Sequence, residues 1–199
     1  SHVLFGITWI GMLYYFNFIQ GGYFKQASAE GLADAKAKLA PSALWWFRWG
    51  AMGTFITGLA LLGKLAIGLN NYIIVGAIFG TIMFLNVWLI IWPNQKIALG
   101  MAEGDAPAAG AKALLASRHN VLYSAPMAFC MLASGHPDPS LGWNLYSSMS
   151  NSLIVMLVII AALQANAMFG KQGPLTTVKG VIHASLGLTA VMVLVFNYV

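Results

Sequence analysis

The chain has 199 residues, of which 59% are apolar and 8% charged, with a formal net charge of +5. Soluble domains carry roughly 25% charged residues, and a fold of this size could not hide so much apolar surface from water, so composition points to a bilayer as the solvent. The positive balance is spread over connecting segments and not gathered on one face, which argues against nucleic acid and for a topology signal.

Six apolar runs of about 17–25 residues, the length that crosses roughly 30 Å of hydrocarbon, are expected to span the membrane. They cover residues 2–24, 43–66, 71–92, 119–135, 145–168 and 178–199. The runs are continuous and do not alternate, which argues against a barrel, and an open sheet would leave its edge groups unsatisfied in lipid. The fold class is therefore an all-α, polytopic membrane bundle forming a single domain. The first span follows Ser1 directly, with no basic segment or cleavage site before it, so no signal peptide is expected.

Between the first two spans, residues 26–40 read as a short surface helix ending at Pro41. Residues 100–117 are rich in Ala and Gly and read as part helix, part loop. The segment His136-Pro137-Asp138-Pro139 reads as a proline-set turn. Lys25, Lys36, Lys38, Arg48, Lys96, Lys112, Arg118, Lys171 and Lys179 all fall on the side shared by the first, third and fifth connections; Lys64 is the exception. The positive-inside rule makes that side cytoplasmic and puts both termini outside.

Intramembrane ionisable groups are functional candidates by default. His119 opens the fourth span and His183 lies about 6 Å beyond Lys179 along the sixth, at 1.5 Å per residue. If both face the bundle interior, they could ligate a b-type haem axially. A zinc or copper site would need a further ligand, and the competing reading places each histidine at a water interface or against a neighbouring helix. His2 and His136 fall near the outer surface. Arg48, within Trp45-Trp46-Phe47-Arg48-Trp49, either snorkels to the interface or turns inward to bind an anion or a cofactor propionate. Gly76 and Gly80, and Gly180, Ala184 and Gly187, read as close helix contacts. Asn17, Gln20, Asn86, Asn151, Gln164 and Asn166 are expected to bond other helices or to line a small polar cavity. The lone Cys130 excludes an intrachain disulfide, and CxxCH is absent, which excludes covalent c-type haem.

Several stretches taken together carry a resemblance. They are His2 with Gly6-Ile7-Thr8-Trp9-Ile10-Gly11; Trp46-Phe47-Arg48-Trp49-Gly50; Asn86-Val87-Trp88 with Ile91-Trp92-Pro93-Asn94-Gln95-Lys96; Ser117-Arg118-His119-Asn120 with Ser124-Ala125-Pro126-Met127; and His183. The chain resembles the membrane domain of PuuD-type bacterial urate hydroxylases, also called the urate oxidase N-terminal domain. That resemblance implies a redox-associated protein of the bacterial inner membrane. It also implies a planar anionic purine held by Arg48 and Arg118, with His119 or His183 as base or haem ligand and His2 as a further haem candidate. Members of that family carry a C-terminal cytochrome c that passes electrons from urate to the respiratory chain. This chain stops at Val199, so a separate c-type cytochrome or other membrane-complex subunits are expected as partners. The other readings are a non-catalytic accessory subunit of a respiratory or photosynthetic complex, and, less favoured for want of an inverted repeat, a transporter.

Overall fold

The structure is a computed structural model that describes residues 1–64, 69–136, 151–170 and 172–199. The Pro137-Asp138-Pro139 turn, the tail of the second expected span at 65–66, the start of the fifth at 145–150, and Lys171 lie outside the described residues. Among the described residues the secondary structure is helical, with no strand. The long helices are α1 (His2–Gln26), α2 (residues 29–64), α3 (Asn71–Ala98), α4 (Ala106–Gly135), α5 (Asn151–Phe169) and α6 (Val178–Tyr198). Four of them, α1, α3, α5 and α6, are long and apolar enough to cross a membrane.

Local chemistry sets where these helices begin and end. Ser28 Oγ accepts from Gly31 N–H at 3.1 Å, Asn70 Oδ1 from Ile73 N–H at 3.0 Å, Asp105 Oδ1 from Ala108 N–H at 3.1 Å, and Thr177 Oγ1 from Gly180 N–H at 3.0 Å. Each satisfies a backbone donor that the first helical turn leaves orphaned. α3 closes on Gly100, whose φ of +74° suits a residue without Cβ. The Met101 N–H then reaches back to Lys96 O at 2.8 Å and the Gly100 N–H to Ile97 O at 3.0 Å, a Schellman closure.

One expectation about a helix end is corrected. Pro41 does not end the helix before it; α2 runs straight through. A π-helical turn at Ala35–Leu39 precedes the proline, and the Ala40 N–H bonds Ala35 O across it. That wider turn accommodates the carbonyl Pro41 cannot bond. α3 also runs through a proline, Pro93, and reaches Ala98 after a π-helical turn at Asn86–Ile91. The helix carrying the fourth expected span starts earlier than residue 119, at Ala106.

The chain divides into two compact units. Unit one comprises Ser1–Leu59 with Ile82–Val121, and unit two comprises Ala60–Thr81 with Leu122–Val199. In unit one the core holds Trp9, Leu13, Phe47, Ala51, Met83 and Val87. Phe16 meets Phe47 edge-on at 5.5 Å, and Phe55 stacks on Phe84 at 4.1 Å. In unit two, Gly76 sits so close to the neighbouring helix that a Cβ there would lie 2.8 Å from Cys130 Cβ. This bears out a small-residue contact at Gly76. Gly187, by contrast, faces open space. Buried Cys130 points its thiol at Met192 Sδ, 3.2 Å away, and Tyr123 donates to Gln164 Oε1 at 3.0 Å.

Candidate functional site

The densest buried polar cluster in unit one centres on Ser117-Arg118-His119-Asn120 of α4. Ser117, His119 and Asn120 are buried, as is Asn17 of α1. Asn17 Nδ2 donates to Ser117 Oγ at 2.7 Å and to Leu13 O of its own helix at 2.8 Å. Asn86 Nδ2 of α3 donates to Asn120 Oδ1 at 2.9 Å, and Asn120 Nδ2 donates in turn to Met83 O at 3.0 Å. Thus α1 and α3 each hold the same short stretch of α4 by an asparagine.

Both asparagines arrive on π-helical turns, Tyr15–Gln20 and Asn86–Ile91. Such turns insert an extra residue and rotate the side chains beyond them. The local cause is legible in each case. Asn17 bonds the carbonyl four residues back, competing with the backbone N–H for it. In α3, Pro93 leaves a carbonyl without its donor, and Asn94 Nδ2 donates to Ile90 O at 2.7 Å within the turn.

Arg118 lies between these two anchors, half-buried. Its Nε and Nη1 are out of contact with water and have no hydrogen-bond partner among the described residues. The carboxylates of unit one, Glu30, Asp34, Glu103 and Asp105, are all exposed, and Asp34 is paired with Lys38. No described carboxylate of the unit is therefore buried with the guanidinium. Trp88 Nε1, Trp9 Nε1, Asn17 Oδ1 and Gln20 Oε1 are also buried polar atoms without partners among the described residues. Arg118 and His119 diverge by about 100° around the helix, as neighbours must. Together they offer anion-binding donors beside a group able to accept a proton.

The other sequence candidates are placed differently. Arg48 is half-buried, with its guanidinium carbon 3.8 Å above the Trp92 ring, and Lys96 Nζ is 5.6 Å from the same ring. That is a cation–π seat among exposed tryptophans. His2 Nδ1 lies 3.0 Å from Thr54 O and 3.1 Å from Thr57 Oγ1, holding the start of α1 to α2. His136 Nδ1 lies 2.9 Å from Leu132 O of its own helix. His183 belongs to unit two and is exposed. The buried stripe of α6 runs through Val181, Ser185, Leu188, Met192 and Val195, and a residue two positions from Val181 falls on the opposite face. Among the described residues no three His, Cys, Asp or Glu side chains gather as a metal ion would need.

Asn17 and Asn86 were legible in the sequence as polar groups inside spans, but their convergence on residues 117–120 was not. The signals that could have shown it are Asn94 and Pro93 beyond Asn86, which disturb the regular turn.

No curated protein and no solved structure matches the chain. The family model described as urate oxidase N-terminal matches residues 63–197, a stretch holding Asn86, Trp88, the 117–120 segment and His183 but not Arg48, Asn17 or His2. That match covers more than half of the chain and agrees with the motifs read in the sequence, so this helical membrane protein belongs to the urate oxidase N-terminal family.

Proposed function

We propose that the chain is the purine-handling membrane domain of a urate-hydroxylase-type oxidoreductase. The observation that carries this reading is Arg118, whose buried Nε and Nη1 lack acceptors among the described residues. Two guanidinium N–H groups withdrawn from water without acceptors carry a desolvation cost that an acceptor would relieve. A planar anion such as urate supplies both the charge and the acceptor edge that a guanidinium fork matches.

On this reading Arg118 binds the anionic edge, and Arg48, seated on Trp92, draws the anion toward the cytoplasmic mouth. His119 takes a proton as water adds to the purine. The electrons released pass to a partner, a c-type cytochrome or another membrane-complex subunit. The alternative for His119 is to ligate a b-type haem, a group for which His183 and His2 are each a further candidate ligand and which would supply an electron relay. Imidazole chemistry suits that role at each position, and exposed His183 leaves its ring available to a ligand. We further propose that α2 and α4 cross the membrane with the other four helices. That makes six spans in a bacterial inner membrane, with the basic connections cytoplasmic and both ends outside.

The test is urate binding to the purified chain in lipid nanodiscs, by calorimetry, with oxidation followed in the presence of a soluble electron acceptor. Binding that is lost in Arg118→Ala supports the reading. A folded wild-type chain that binds no urate and migrates with a larger membrane complex would refute it and favour an accessory subunit.

A further inference from the structure

From the hydrogen bonds that reach α4 from α1 and α3, we infer that Asn17 and Asn86 are positioning residues that set the orientation of Arg118. The inference rests on the reading of Arg118 as the ligand-binding cation. Asn17 ties Ser117, the residue before Arg118, at 2.7 Å, and Asn86 ties Asn120, two residues after it, at 2.9 Å. The stretch is therefore fixed from two helices and on two sides. Neither bond reaches the guanidinium itself, so its Nε and Nη1 stay available. Each asparagine reaches α4 from a π-helical turn, a feature that costs regular backbone bonding and recurs at functional sites.

The pairing is also asymmetric in a useful way. Both asparagines act as donors to the α4 side chains, and Asn120 passes its own amide on to the Met83 carbonyl. Rotation of α4 about its axis would break both ties together. Arg118 is thereby held in one orientation before any ligand arrives, which is what preorganisation of a charged binding group requires.

The experiment uses the full chain in nanodiscs with 15N-labelled arginine. The Nε–H resonance of Arg118 is assigned by its loss in Arg118→Lys. Asn17→Ala and Asn86→Ala are each expected to shift or broaden that resonance without ligand and to weaken urate binding roughly threefold to tenfold, the worth of one interhelical bond. Asn197→Ala, whose amide bonds only Val193 O of its own helix at 2.8 Å among the described residues, is expected to change neither. Should Asn17→Ala not fold, Ser117→Ala breaks the same tie by removing one oxygen, and Ser117→Thr, which keeps the acceptor, is expected to restore the wild-type signal. Folded variants with an unmoved Arg118 resonance overturn the inference. If the wild type binds no urate, the functional reading fails, and the ligand-free resonance still decides the positioning role.

Discussion

Arg118 brings the chemistry of this protein to a single side chain. Its exposed counterparts, such as Lys36 and Lys38, have water or a carboxylate for company, and Lys38 pairs with Asp34 one helical turn away. Such pairs are worth little. Arg118 has neither for Nε and Nη1 among the described residues, so its environment makes sense as a receiving site. Arg118→Lys is expected to keep the charge but lose the fork, and so to retain binding that is weaker by roughly tenfold, while Arg118→Ala loses roughly a hundredfold. Titration calorimetry with urate distinguishes the two. The histidines give a separate check. If His119, or alternatively His183, ligates a b-type haem, the purified chain shows a Soret band together with sharp α and β bands on reduction, and alanine at the ligating histidine abolishes them. A featureless visible spectrum rejects the haem and leaves His119 as the proton acceptor.

At the scale of the helices, close approach and irregular turns decide what faces what. Gly76 lets its helix lie directly against Cys130, and a Cβ at that position would come within 2.8 Å of the Cys130 Cβ. Gly76→Val is therefore expected to destabilise the fold by about 1–3 kcal/mol, as overpacking of a tight contact does. Gly187→Ala, where nothing lies within 4 Å, is expected to stay within about 0.5 kcal/mol of wild type. Thermal unfolding of both variants in the same detergent measures the difference, and equal melting temperatures would show that the Gly76 contact carries no strain. The sequence showed both glycines as members of small-residue stripes. It could not show that Gly76 meets a neighbour and Gly187 meets open space, because that depends on which helix packs there.

For the whole molecule, the distribution of basic residues predicts an orientation. A cysteine introduced at Lys112, in a chain whose native Cys130 is buried, is expected to resist an impermeant thiol reagent applied to intact cells. Labelling from outside would invert the topology. The same orientation places the termini where an outer-face redox partner would dock. Gentle solubilisation and a native gel then show whether the chain migrates alone or with the cytochrome or complex subunits proposed for it.

The sequence by itself determined that this is an all-helical membrane protein. Long apolar runs with few charges leave a chain no other way to satisfy its backbone in lipid. It also determined the family, because several motifs at distant positions agree. The helix caps at Ser28, Asp105 and Thr177 follow local rules that need no tertiary knowledge. Only the tertiary structure decided which polar groups meet. His183 proved to face away from the buried stripe of its helix. Asn17 and Asn86, far apart in the chain and on different helices, converge on residues 117–120. In α1 and α3 part of the physical reason is the period of the helix, since a π-helical turn of one extra residue rotates everything after it by about 100°, whereas in α6, regular from Val178 to Tyr198, the buried face depends on which helix packs against it. A regular-helix reading of the sequence therefore assigns side chains to the wrong face wherever such a turn intervenes.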